Sequence, residues 1–428
     1  MTYDCSLLSS TLQTQVFTDI NALKAITEPD KPFTRRAFTE KYQEGRAYLI
    51  AQLEPLGLKP FIDNAGNLRA RLHGKTEKTL YIGSHSDTVP NGGILDGILG
   101  VIAGVTILRY FVENNLTPQY SLELIDFLAE ETSDWGISCI GSRGLSGQLS
   151  AEHLALKHPK TGEILADAIQ RMGGSPATLS EYQAISNPLT SQTENYFLEL
   201  HIEQGPVLER TEKQIGIVTH IAGITRLKLT LLGEANHSGT TPMSMRQDAL
   251  VKAAKVIIAT DKIAQQIAEQ AQIEGDSFVA TCGYIENVPN AINVVPGKTV
   301  LILDIRTTNM KLLETFQTSL KHSLESFAGD YLEEVLSQAE PVPMNSQLIS
   351  LSENLAKITH ISTLKMASGA GHDAAFMASI AKTAMLFIPS IAGISHNPKE
   401  ASYEKDILCG IELLLQLTIK LALNEKKL

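Results

Sequence analysis

The chain has 428 residues, 43% hydrophobic and 19% charged, with a formal net charge of −11. That length exceeds what one hydrophobic core usually organises, so two domains are expected. The acidic balance argues against nucleic acid or an anionic membrane surface as partner.

Residues 1 to 58 read as helical, with apolar positions recurring at helical spacing through Leu12 to Ile26 and Tyr42 to Leu56. A hairpin is expected at Lys59 to Leu72, turning at Asn64-Ala65-Gly66-Asn67. Thr79 to Gly83 is an apolar run that reads as a buried strand. It stops at a loop carrying His85, Asp87 and Asp96, and a helix follows from about Gly97 to Glu113. Ser121 to Leu128 reads as an alternating strand that ends in Ala129-Glu130-Glu131. The order β, loop, α, β predicts a mainly parallel sheet with covering helices. Ser138 to Leu149 reads as a short helix, and Gln148 to Thr193 is polar and weakly patterned. Tyr196 to Ile202 is another strand, with His201 near its end and Gln204 just beyond.

The pattern changes after Gly216. Strands are expected at Ile224 to Gly233, Ser277 to Ile285, Lys298 to Arg306 and Tyr331 to Ala339. Helices are expected at Met245 to Glu269 and Lys311 to Phe327. This βαββαβ order predicts an inserted, ferredoxin-like α+β domain. From about Asn345 the earlier style resumes: a helix to His360, a strand at Thr363 to Met366, the turn SGAGHDA, and a strand at Thr383 to Ile388. The loop AGISHNPKE and a closing helix from Tyr403 to Leu423 complete it. The expected division is 1–216 and 344–428 for the large α/β domain, and 217–343 for the inserted one. Leu413 to Leu423, the greasiest stretch, is too short to span a bilayer. Cys5, Cys139, Cys282 and Cys409 show no paired spacing, and the start lacks a signal-peptide pattern. Both point to a reducing, cytoplasmic setting.

Histidines and acids recur where predicted strands end: His85, Asp96, Glu130 or Glu131, His201 and His396. Loops after parallel strands share one edge of the sheet, where α/β proteins place their chemistry. Imidazole with carboxylate suits a divalent transition metal. Two-metal hydrolysis further needs a bridging carboxylate and a held water. Asp87, two positions from His85, could orient that ring or simply cap a turn.

Seven blocks carry a more specific likeness: GSHSDTVPNGGILDG, AEETSDWGISCIGSRGLSG, LELHIEQGPVLE, GEANHSGTTPMSMRQDAL, NAINVVPGKTVLILDIR, SGAGHDA and GISHNPKE. In this order the chain resembles the amidohydrolase family of N-carbamoyl-L-amino-acid hydrolases, β-ureidopropionase and allantoate amidohydrolase. These are relatives of the dinuclear aminoacylase and carboxypeptidase metallopeptidases. The resemblance implies two divalent metal ions per subunit, zinc or manganese, cobalt or nickel. His85 and His201 would each bind one metal, Asp96 would bridge, and Glu131 and His396 would complete the two sets. It implies Glu130 as general base. Gln204, His237, Asn293 and Arg306 would hold the substrate, with His237 also polarising the scissile carbonyl. It further implies a homodimer built through the inserted domain, and closure of that domain over the metals.

The expected activity is hydrolysis of the carbamoyl (ureido) C–N bond of an N-carbamoyl-L-amino acid, a small carboxylate-bearing substrate. Allantoate hydrolysis is the nearest alternative. An aminoacylase or dipeptidase activity, or a metal-binding protein without catalysis, stands further off. Two departures bear on substrate. After Glu131 the family usually has glycine and then Arg-Phe, where this chain has Thr132-Ser133-Asp134-Trp135. Ile94-Leu95 replaces a polar-aromatic pair.

Overall fold

A computed structural model of the protein describes residues 7–179 and 195–423. Cys5 and the end of the weakly patterned polar stretch, 180–193, lie outside the described residues. In chain order the strands are β1 (Phe61–Ile62), β2 (Leu68–Leu72), β3 (Thr79–His85), β4 (Ser121–Phe127), β5 (Tyr196–Ile202), β6 (Ile215–Ile221), β7 (Gly223–Leu232), β8 (Asn236–His237), β9 (Phe278–Val288), β10 (Val294–Val295), β11 (Lys298–Thr307), β12 (Tyr331–Gln338), β13 (Val342–Pro343), β14 (Thr363–Ser368) and β15 (Lys382–Ile388). They fall into two units. The first comprises Met1–Thr219, Met344–Met366 and His372–Leu428, and the second His220–Pro343 with Ala367–Gly371.

In the first unit the sheet order is β1-β2-β4-β3-β5-β15-β6. The four middle strands, β4, β3, β5 and β15, are mutually parallel, and antiparallel strands flank them. The mixed α/β architecture with a mainly parallel sheet is therefore as expected. Helix Ile98–Glu113 crosses from β3 to β4 and is buried almost all round. Its sequence shows why: ILGVIAGVTIL offers no polar face to water. Helix Glu404–Leu423, another nearly continuous apolar run, joins the same core with Leu413, Leu414 and Leu417.

Strand β4 is buried on both faces. Its sequence, SLELIDF, alternates, yet all seven residues are buried. The polar positions face ion pairs rather than solvent. Glu123 meets Arg69 and Arg71, and Asp126 meets Arg46, whose Nε donates to Oδ2 at 3.0 Å. The hairpin before β3 turns where expected, with Asp63 Oδ1 accepting from the N–H groups of Ala65 and Asn67.

The second unit contains an antiparallel sheet of order β12-β7-β11-β9. Helices Ala249–Glu274 and Met310–Phe327 share a core with one face of it. Leu227, Leu229 and Leu231 alternate inward on β7, and Leu301, Leu303 and Ile305 do so on β11. They pack with Val256, Leu313 and Phe316. The ribbon β8–β10 lies beyond Leu232 and Lys298, with His237 opposite Val294. Ala367–Gly371 belongs to this unit rather than the first. Ser368 O accepts from Ala222 N at 2.9 Å, and Gly369 O accepts from Arg306 Nη1 at 2.7 Å.

Candidate metal centre

Because β4, β3, β5 and β15 run parallel, their carboxyl ends lie along one edge. Each delivers part of the same cluster. His85 closes β3, Glu130 and Glu131 follow β4, His201 is the penultimate residue of β5, and His396 lies in the loop after β15. Asp96 lies in the loop between β3 and its helix. It is nearly buried and faces histidines on both sides. Its Oδ1 lies 3.2 Å from His201 Nε2 and 3.7 Å from His85 Nε2. Its Oδ2 lies 3.2 Å from His396 Nε2, which in turn is 3.3 Å from Glu131 Oε1. Two ligand groups result, His85–Asp96–His201 and Asp96–Glu131–His396, sharing the one aspartate. Within each, the ligating atoms lie within 4.8 Å of one another.

The donor set fits divalent cations. His85 Nδ1 bonds Asp87 O at 3.0 Å and His201 Nδ1 bonds Ile202 O at 2.9 Å. Each ring thereby carries its proton on the outer nitrogen and turns Nε2 toward Asp96. Gly97 N lies 3.2 Å from His201 Nε2, where the chain turns into the helix. Gly97 has φ +68°, and a Cβ on it would lie 2.4 Å from the His85 ring. Glycine is therefore required both for the turn into the helix and for the approach of the ligand.

The close approach of these groups shifts their acid–base behaviour. Burial disfavours a charged His85, but Glu130, Asp87 and Asp96 outweigh it and raise its pKa well above the usual imidazole value. Burial would raise Asp96, but hydrogen bonds from His201 and His396, and their charge, hold it well below the carboxylate range. Hydrogen bonds to Asp96 and Glu131 push His396 up to about 10. Burial pushes Glu130 well above its ordinary value, with His85 pulling back and the Glu131 charge adding to the push. A carboxyl so placed can both take and return a proton near neutral pH.

Asp87 does more than its spacing suggested. Its carbonyl holds His85, while its carboxylate oxygens accept the N–H groups of Glu130 (3.3 Å) and Glu131 (3.2 Å). It thus ties the β3 loop to the β4 loop. Gln204, expected to hold substrate, donates Nε2 to Asp96 Oδ2 at 2.8 Å. Ala129, Gln204 and His396 all have left-handed backbones, with φ of 52°, 60° and 52°. Non-glycine residues adopt that conformation where the surroundings over-determine it.

His237, Asn293 and Arg306 belong to the second unit. His237 and Asn293 are neighbours, with Ser238 N donating to Asn293 O at 3.0 Å. His237 Nδ1 accepts from the N–H groups of Gly239 and Thr240, which leaves Nε2–H as an outward donor. Arg306 sits at the other end of β11. Its Nε donates to Asp304 Oδ1 at 2.7 Å. Eight residues of extended strand separate it from Lys298, where the β8–β10 ribbon begins, roughly 25 Å at about 3.3 Å per residue.

Several further side chains surround the cluster. Cys139 Sγ lies 3.5 Å from Glu130 Oε1. Burial and that carboxylate push the thiol up, so it stays protonated and donates. His372 packs edge-on to His201 with centroids 4.6 Å apart. Burial and the nearby His201 charge hold it well below the usual value. Glu199, which with His201 and His372 forms a third group of potential ligands, is committed elsewhere. It accepts from Ser84 Oγ and Ala374 N. A small open cleft lies beside Glu131, lined by Arg36, Thr88, Pro90, Thr132 and Asp134. The reversed charge at Asp134 is answered there by Arg36, 3.1 Å away.

Residues 81–420 match the Peptidase family M20/M25/M40, and the chain belongs to it. It is therefore a hydrolase of C–N bonds from a metal-dependent family. The chain is 34% identical to an allantoate amidohydrolase of Escherichia coli, covering 92% of this chain and 94% of the relative. It is also 34% identical to an N-carbamoyl-L-amino-acid amidohydrolase of a Pseudomonas species, covering 91% and 94%. In structure it resembles a hydantoinase/carbamoylase family amidase from Burkholderia multivorans. The TM-score is 0.84 with 26% identity, over 96% of this chain and 98% of that one. The resemblance read from the seven motifs is borne out. No helix among the described residues is long and apolar enough to cross a membrane.

Proposed function

We propose that this chain hydrolyses the ureido C–N bond of an N-carbamoyl-L-amino acid with the help of two divalent metal ions. The observation that carries the reading is Asp96, with one oxygen facing His85 and His201 and the other facing His396 beside Glu131. When bound, the ions supply an activated water at neutral pH and polarise the ureido carbonyl. Glu130, 3.5 Å from His85, takes the water's proton and returns it to the leaving nitrogen. His237 donates Nε2–H to the carbonyl oxygen as negative charge develops there. Arg306 offers its guanidinium fork to the substrate carboxylate, with Asn293 and Gln204 bonding the ureido group. The products are the amino acid and carbamate, which breaks down to ammonia and carbon dioxide.

We infer a homodimer through the second unit. A substrate of this size cannot touch both ends of β11, so His237 and Asn293 serve the substrate held by Arg306 of a second copy. β9 is an edge strand with Val279, Tyr284, Ile285 and Val288 exposed, a surface suited to such a partner.

The test is ammonia release from N-carbamoyl amino acids and allantoate, and release of free amino acid from dipeptides, each with added zinc, manganese, cobalt or nickel. Turnover of N-carbamoyl amino acids supports the proposal. Preferential turnover of allantoate establishes the alternative carried by the Escherichia coli relative and one from Bacillus subtilis. Hydrolysis of dipeptides alone overturns both.

A further inference from the structure

Glu400 lies four residues beyond His396, is 3% exposed, and has no part in the chemistry above. Its Oε1 accepts the backbone N–H of Leu95 at 2.9 Å and of Asp96 at 3.1 Å. Its Oε2 lies 3.0 Å from Ser395 Oγ, and the same hydroxyl lies 2.9 Å from Asp96 Oδ2. Gly93 makes room for this carboxyl, since a Cβ there would fall 1.9 Å from Glu400 Oε1. One buried side chain thus fastens the loop that carries Asp96 to the loop that carries His396.

The two ligand groups are unequally supported without it. His85 and His201 are strand residues, 1% and 0% exposed, each with Nδ1 bonded to a backbone carbonyl. His396 sits on a loop with a left-handed backbone and a side chain 48% exposed. Its place relative to Asp96 depends on what fixes residues 395 to 400, and Glu400, with Ser395, links that loop to the backbone and side chain of Asp96.

We propose that Glu400 is a positioning residue that sets the affinity of the Asp96–Glu131–His396 metal position and affects the His85–Asp96–His201 position, which shares Asp96, much less. This rests on the two-metal reading above. Outer partners that orient ligands are typically worth about 10–100-fold in metal affinity, and the fold-change here falls mainly on the position that includes His396.

The experiment uses full-length metal-free protein: wild type, Glu400→Gln, Glu400→Ala and Ser395→Ala. Each is titrated with zinc and with manganese by calorimetry, and metal content is read by mass spectrometry after dialysis. Wild type is expected to bind two ions per chain. Glu400→Ala should weaken one position by about 10–100-fold and the other by less than about threefold, so that content after dialysis falls from two ions toward one. Ser395→Ala should shift the same position by less. Glu400→Gln should recover most of the affinity, because its amide oxygen still accepts from Leu95 and Asp96. Unchanged affinities in both Glu400→Ala and Ser395→Ala overturn the proposal, as does equal weakening of both positions. Should Glu400→Ala fail to fold, Ser395→Ala and Glu400→Gln decide it. A wild type that binds a single ion removes the two-metal reading and this proposal with it, a result separate from any variant.

Discussion

The imidazoles around Asp96 are shifted toward their protonated forms, and this fixes the sign of a pH effect. His85 and His201 are raised above the ordinary value and His396 reaches about 10. A raised imidazole stabilises the metal-free fold fully below its unfolded value of about 6.5. That stability is lost as pH rises through the folded value, toward 10 for His396. Metal uptake near neutral pH must therefore expel protons, so affinity weakens as pH falls. Calorimetric titration in two buffers of different ionisation enthalpy should show proton release at pH 7.5; metal binding with no proton exchange would contradict it. Glu130 makes a second prediction at this scale. Glu130→Gln removes the proton carrier but keeps the shape, so kcat should fall by about 10²–10⁴. Metal content and KM should change little, as steady-state kinetics with metal analysis would show.

Among the elements, the parallel strands were legible because each is a short apolar run closed by a chemical residue. His85, Glu130 or Glu131, His201 and His396 stood out at or after those strand ends, and the seven motifs of the family resemblance joined them into one site. Long-range hydrogen bonds were not legible. Glu400 meets Leu95 across 305 positions, and no periodicity announces such a pairing. The ion pairs of β4 were hidden for a related reason: alternation normally means a solvated face, but here Arg46 and Arg69 come from other elements to meet Asp126 and Glu123. That pairing carries its own prediction. Arg46 donates to Asp126 Oδ2, Asp126 O and Gly66 O, and both side chains are buried. Arg46→Met would strand a buried carboxylate and cost about 3–5 kcal/mol. Chemical denaturation should report it as a lower midpoint with an unchanged slope, whereas Arg46→Lys should lose less.

For the whole molecule, the proposed dimer predicts which defects can rescue each other. If His237 of one copy serves the substrate held by Arg306 of the other, His237→Ala and Arg306→Ala homodimers are each nearly inactive for different reasons. Mixed and allowed to exchange, they form hybrids in which one site keeps both residues and the other loses both. Random exchange makes half the dimers hybrid, with one working site in two. The mixture should therefore recover roughly a quarter of wild-type turnover per chain, by the closed two-fold geometry of such dimers. If both residues act within their own chain, each hybrid site lacks one of them and mixing restores nothing. Separation of differently tagged chains by size and affinity checks that exchange took place. Activity that stays at the level of the separate variants in a fully exchanged sample would assign His237 and Arg306 to one copy, against the length of β11.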